Sequence, residues 1–157
     1  MKNIKIISIV VFLILLSSCG FKPINQKNGN LINFRNIKVT GEQRIAYALK
    51  NNLLVISNNN SQNNYDAEIK IIKKKNSKIK NSSGKIIRYE LSITVSLELT
   101  NLDDNIKINK SFVRSGDYNV DVIHSDTINN EKNLTKNIIQ QISDDAVNFI
   151  SLSIRKK

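Results

Sequence analysis

The most regular pattern in the chain runs from Tyr89 to Leu99. Tyr89, Leu91, Ile93, Val95, Leu97 and Leu99 alternate with Glu90, Ser92, Thr94, Ser96 and Glu98, with Arg88 just before them. A period of two over this length predicts a strand with one buried and one wet face, as in an antiparallel sheet covered on one side. Tyr65, Ala67, Ile69 and Ile71 alternate in the same way with Asp66, Glu68 and Lys70 and predict a second such strand. Between the two, Ser82-Ser83-Gly84 reads as a hairpin turn. Leu102-Asp103-Asp104-Asn105 is a further turn, after which Ile106, Ile108 and Phe112 carry another strand to about Gly116. Near the start, Leu31 to Val39 is apolar at even positions (Ile32, Phe34) and then at odd ones (Ile37, Val39), which predicts a first, imperfectly alternating strand.

Two stretches repeat at helical spacing instead. Thr40-Gly41-Glu42-Gln43 has the spacing of a capping box, in which the Thr40 hydroxyl would accept the Gln43 amide, and Ile45, Leu49 and Leu53 follow as a narrow apolar stripe. Asn58 to Asn64 is polar, low in complexity and loop-like. Leu134, Ile138, Ile142, Ala146, Phe149, Ile150 and Ser153 define a long closing helix, with Glu131, Lys132, Lys136, Asp144 and Asp145 mostly on its other side. Arg155-Lys156-Lys157 suit its negative C-terminal end. The predicted order is β-α-β-β-β-α. It implies an α+β two-layer sandwich, with two helices packed on one face of a four-stranded mixed or antiparallel sheet. The first strand, its helix and the second strand would form a right-handed crossover, and the remaining strands a meander.

The N-terminus follows a different rule. Lys2 and Lys5 precede Ile6 to Leu16, which is apolar except for Ser8, the layout of a secretory signal peptide. Such a run spans about 16 Å as a helix, about half of a ~30 Å hydrocarbon core, and is too short to cross a bilayer. It ends in Leu16-Ser17-Ser18-Cys19, which resembles the bacterial lipobox: a branched apolar residue and two small ones before a cysteine. The resemblance implies acylation of Cys19 and cleavage before it. Two or three acyl chains make such an attachment stable where one would not. The expected organisation is a signal peptide at 1–18, a lipid-anchored tether at 19–30 containing Pro23 and Gly29, and a single domain at 31–157. From Cys19 to Leu31 the tether reaches at most about 40 Å.

Charge narrows the partners. The chain carries a formal charge of +11, which falls to +9 once Lys2 and Lys5 leave with the signal peptide. A basic surface favours phosphate or another anion. Crowding of Asn, Ile and Lys also reflects an AT-rich coding sequence, so part of the basicity is compositional. An exported lipoprotein rarely meets nucleic acid, and no nucleic-acid partner is expected. The anion at hand is a membrane phosphate. Cys19 is the only cysteine, so the folded domain uses no disulfide.

Cations concentrate on the way into and out of the hairpin turn: Lys73, Lys74, Lys75, Lys78, Lys80, Lys85 and Arg88. They are the candidate anion-binding residues, although lysines on strands also discourage edge-to-edge aggregation. Catalysis has little to stand on. His124 is the only histidine, and Asp117, Asp121 and Asp126 near it read better as turn and cap residues than as a metal or acid–base cluster. No enzyme activity, cofactor or metal is expected.

Cys19-Gly20-Phe21-Lys22-Pro23 after the lipobox, the order of elements, the Tyr118-Asn119-Val120 segment and the terminal helix together resemble the LptE-type lipopolysaccharide-assembly lipoprotein family. The likeness covers nearly the whole mature chain. Two departures stand out: Ile24-Asn25-Gln26 where the family often has Leu-Tyr-Gly, and a final helix with only Ala146 where an Ala-rich one is usual. The resemblance implies a lipid-anchored protein on the periplasmic face of the outer membrane that plugs an LptD-type β-barrel, helps it assemble, and binds lipopolysaccharide. Gly20 after the cysteine, where aspartate would signal inner-membrane retention, agrees with that destination. An accessory or scaffold lipoprotein of another envelope lipid-transport system would share the same lipobox and basic surface.

Overall fold

In the computed structural model of the protein, residues 32–155 are described. The signal peptide, Cys19, the tether and Leu31 lie outside them, as do the side chains of Arg155-Lys156-Lys157. The elements are β1 (Asn33–Thr40), α1 (Gln43–Leu54), β2 (Asn64–Lys80), β3 (Ile86–Asn101), β4 (Lys107–Asn119) and α2 (His124–Arg155). The sheet runs β1-β2-β3-β4, with β1 and β2 parallel and the other neighbours antiparallel. This is the expected α+β order.

Alternation decides which face is covered. Tyr65, Ala67, Ile69 and Ile71 of β2 and Leu91, Ile93, Val95, Leu97 and Leu99 of β3 are all buried, and cross-strand pairs such as Ile69–Leu97 and Ile71–Val95 place them on one face. Both helices lie on that face. Ile45, Leu49 and Leu53 of α1 and Ile138, Ile142, Ala146 and Ile150 of α2 complete a single core. The irregular first strand has a cause: the β1–β2 register shifts between Phe34 and Asn36. This bulge turns the even-numbered Ile32 and Phe34 and the odd-numbered Ile37 to the same core.

The capping box does not form. Thr40 stays in β1 opposite Lys70, its hydroxyl donates to the Ile69 carbonyl at 3.3 Å, and the N-cap is Glu42 without a side-chain cap bond. Gly41 makes the corner instead, with φ of 110° and no room for a side chain against Ile71. The β2–β3 turn is as expected. Asn81 Oδ1 accepts from the backbone N–H groups of Ser83 and Lys85, and Gly84 takes φ of 81°.

β4 extends past Gly116 to Asn119, and its covered face carries Lys110 and Arg114 between Ile108, Phe112 and Tyr118. Arg114 pairs with Asp145 of α2, and Lys110 Nζ sits 6.0 Å from the Phe149 ring centroid. Charges pointing inward from an edge strand oppose pairing with another chain.

Candidate functional site

The hairpin is much longer than the layer above it. At about 3.3 Å per residue β2 spans about 55 Å, whereas the 12 residues of α1 cover about 18 Å. Beyond Ile71 the covered face of β2 runs past the start of α1 toward α2, and its residues there change from apolar to Lys73 and Lys75. Both lysines continue the buried parity of Tyr65 to Ile71, and both reach one acceptor. Glu131 of α2 accepts from Lys73 Nζ at 2.9 Å, from Lys75 Nζ at 2.8 Å and from the Tyr118 hydroxyl at 2.8 Å. Tyr118 stacks on Tyr89 with centroids 5.6 Å apart, and Lys75 Nζ lies 4.2 Å from the Tyr89 centroid.

Partial burial pushes the Glu131 carboxyl up, but the hydrogen bonds from Lys73, Lys75 and Tyr118, with the Lys73 charge, outweigh it and bring its pKa down to about 2. Burial opposes charge on Lys75, yet its bonds to Glu131 and Tyr118 raise its pKa above the ordinary value. The Tyr118 hydroxyl is raised too, first by burial.

The remaining predicted cations lie elsewhere. Lys74 is paired with Ser92 on the uncovered face. Lys78 Nζ is 2.7 Å from Asp117 Oδ2, and Arg88 Nε donates to Asn119 Oδ1 at 3.0 Å. Lys80 and Lys85 flank the exposed turn. Among the described residues Lys74, Lys80 and Lys85 take part in no ion pair. The predicted cluster is thus divided by the sheet: Lys73 and Lys75 are turned inward, Lys78 and Arg88 are bonded to Asp117 and Asn119, and Lys74, Lys80 and Lys85 stand in solvent.

The acidic residues near His124 are spread over local bonds. Asp117 holds Lys78, Asp121 Oδ2 accepts from Asn130 Nδ2 at 3.0 Å, and the Asp121 N–H donates to Thr127 Oγ1 at 2.8 Å. Among the described residues no three metal-ligating side chains come together.

The other broad feature is the face without helices. Its middle is Ser92, Thr94 and Ser96 of β3 beside Ser111 and Ser115 of β4, with Ile72 and Val113 exposed on either side of Thr94 and with Glu68, Lys70 and Glu98 flanking it. A shallow depression of about 450 Å³ runs across it beside Lys70, Ser96 and Asn109.

No protein family and no curated protein matches the sequence. Solved structures match it in shape. A protein described as a lipoprotein, from Caulobacter crescentus, superposes with a TM-score of 0.54 at 13% identity, over 83% of this chain and 96% of its own. A minor lipoprotein from Acinetobacter baumannii gives 0.50 at 14% identity, over 79% and 94%. The fold is shared with proteins described as lipoproteins. At such identities the likeness is one of architecture, and the chemistry has to come from this chain's residues.

Glu131 is the residue that sequence reading placed on the wrong side of its helix. It stands three residues before Leu134 and seven before Ile138, so it continues the apolar stripe. Lys73 and Lys75 likewise continue the odd-numbered buried positions of β2. An acid at the spacing of the helix stripe and two lysines at the buried parity of β2 were a legible sign of an ion pair between helix and sheet.

Proposed function

We propose that this protein is a non-catalytic lipoprotein, anchored through acyl chains on Cys19 to the periplasmic face of the outer membrane. In this reading it occupies the lumen of an LptD-type β-barrel, helps that barrel assemble, and binds lipopolysaccharide during delivery to the outer leaflet. The observation that carries the reading is the uncovered sheet face. It is a broad, mainly polar surface of serine, threonine and mixed charge in which Ile72 and Val113 are isolated exposed apolar side chains, where a protein domain with a second covering layer would have a continuous apolar face. The lumen of an outer-membrane barrel is polar and offers such a surface a matching wall.

Two further features support it. Lys74, Lys80, Lys85 and Arg88 give the distal hairpin a positive end suited to sugar-linked phosphate, while Lys73, Lys75 and Lys78 are already engaged with carboxylates. The described chain begins at the opposite end of the sheet, where Ile32 bridges Ser57 and Asn33 pairs with Asn64. The basic turn thus lies about 55 Å along β2 from the end of the domain that the tether joins, clear of that attachment point.

Affinity purification of the full-length chain from its own membranes tests the reading. A large outer-membrane barrel is expected as the main partner, and its depletion on loss of this chain. Recovery of a different lipid-transport complex without such a barrel would overturn the plug reading in favour of an accessory lipoprotein of that system. Lys80→Gln with Lys85→Gln is expected to weaken lipopolysaccharide binding and its salt dependence, since exposed charges act within about 8 Å at physiological ionic strength.

A further inference from the structure

The two helices are bonded to each other toward one end and part toward the other. Asn52 Nδ2 of α1 donates to Ser143 Oγ of α2 at 2.9 Å, tying the helices near the C-terminal end of α1. Toward the hairpin α1 stops at Gln43, while α2 continues back to His124. The space left between them is a groove of about 830 Å³, within the ~300–1,000 Å³ range of small-molecule sites.

An apolar strip runs through this groove among neutral polar side chains that include Asn52, Thr135 and Gln140, and its rim is cationic. Ile45 and Ala48 of α1 face Ile128 and Ile139 of α2, and Ile128 is 53% exposed at the mouth. Arg44 borders one side, and Lys132 and Lys136, one helical turn apart, border the other. None of these three cations takes part in an ion pair among the described residues. Glu131 also borders the groove, but its carboxylate is taken by Lys73 and Lys75. Glu42 is the remaining acid there. Three free cations against one free acid leave an excess of two positive charges beside an apolar trough.

We infer that this groove binds a phosphorylated alkyl lipid, its phosphomonoester held by Arg44, Lys132 and Lys136 and its chain lying along Ala48, Ile128 and Ile139. A phosphomonoester carries about −1.5 to −2 charge and three acceptor oxygens, which match the excess charge and the number of cations. Arginine adds a forked donor suited to phosphate. A free inorganic anion would use the rim and leave Ile128 wet, and a neutral alcohol would cover Ile128 and leave the cations without a counter-charge. Apart from Lys73 the site shares no residue with the hairpin cluster, and it stands independently of the barrel partner.

The test uses the full-length lipidated protein in a nonionic detergent, with dodecyl phosphate, dodecanoate, dodecanol and inorganic phosphate as probes. Isothermal titration of the unsubstituted protein gives affinity. Protection of the thiol in Ile128→Cys from maleimide gives position, with the unsubstituted protein as the labelling control. Dodecyl phosphate is expected to bind and to protect. Arg44→Gln with Lys136→Gln is expected to weaken it by about tenfold or more, the size of one or two charge-assisted hydrogen bonds. Lys80→Gln with Lys85→Gln is expected to leave it unchanged. Equal binding of dodecanoate would overturn the phosphomonoester head, and equal binding of dodecanol the role of the cations. Protection by inorganic phosphate alone would overturn the lipid. An unchanged affinity in the Arg44, Lys136 variant at an unchanged melting temperature would overturn the site.

Discussion

Lys75 and Glu131 meet at 2.8 Å across the interface between sheet and helix, 56 residues apart in sequence. The contact joins the distal half of the hairpin to α2 where α1 no longer covers it. Lys73 reaches the other carboxylate oxygen, the Tyr118 hydroxyl shares the nearer one, and Lys75 also lies over the Tyr89 ring. One acid therefore locks β2 and β4 to one helix. Without it the inward-facing lysines would repel each other beside the buried Tyr118 and partly buried Tyr89 rings.

Glu131→Gln is expected to destabilise the domain more than Lys75→Met does. The first substitution leaves two ammonium groups facing an amide that donates as well as accepts. The second removes one cation and leaves the Lys73–Glu131 pair whole. A loss of about 1.5–3 kcal/mol is expected for Glu131→Gln, the range for hydrogen bonds to charged groups. Urea unfolding of both variants checks the order, and a smaller loss for Glu131→Gln than for Lys75→Met would refute the lock.

The same carboxylate sets an acid limb. Its pKa lies at about 2 in the folded protein against an ordinary value of 4.5, so the unfolded chain binds the extra proton between those values. Stability from Glu131 is thus complete above about pH 4.5 and is lost as pH falls toward 2. In Glu131→Gln that part of the decline should vanish, and unfolding midpoints measured from pH 7 down to pH 2 show whether it does. At the alkaline end the raised values of Lys75 and Tyr118 act in the opposite sense: their contributions are present below their ordinary values of 10.5 and 10.0 and are lost as pH rises through the folded ones.

Neighbouring residues of β3 offer a test of which face is covered. Ile93 is fully buried and Thr94 points to the uncovered face. Ile93→Ala is expected to cost about 2–5 kcal/mol through lost burial and a residual cavity. Thr94→Ala should stay within about 0.5 kcal/mol, as surface substitutions usually do. Equal losses at both positions, measured by denaturant unfolding, would mean that a second layer covers the sheet even in the isolated chain.

The strands of the hairpin were legible because their side chains alternate against a single apolar layer, so period and burial coincide from Tyr65 to Ile71 and from Leu91 to Leu99. The first strand was less regular in sequence because the bulge after Phe34 changes its parity, a feature of backbone pairing that no side chain announces. Thr40 misled for a related reason. Its hydroxyl suits a helix cap, but pairing with Lys70 keeps it in the strand and turns the hydroxyl to Ile69. The lysine run was visible as charge, while its division between two faces depends on strand parity and on how far α1 reaches. The groove was hidden entirely. Arg44 and Lys132 lie on different helices, and only the short α1 leaves the gap that brings both to one rim.

Gly41 and Gly116 should respond very differently to alanine. A Cβ on Gly41 would stand 2.1 Å from the Ile71 carbonyl oxygen, at a φ of 110° that side chains rarely adopt. Neither the backbone of β2 nor the corner into α1 can move without breaking the β1–β2 ladder, so a loss of about 3 kcal/mol or more is expected. A Cβ on Gly116 would meet the end of a side chain, Leu134 Cδ1 at 2.7 Å, with no unusual φ. Leu134 can turn away, and the loss there should not exceed about 1–3 kcal/mol of overpacking, offset by about 0.4–1 kcal/mol from the stiffer unfolded chain. Leu134→Ala in the Gly116→Ala background should recover the overpacking part, whereas no side-chain truncation should rescue Gly41→Ala, because its obstacle is backbone. Denaturant midpoints of the three variants decide the matter. A Gly41→Ala protein as stable as the parent would show that α1 leaves β1 by a different corner.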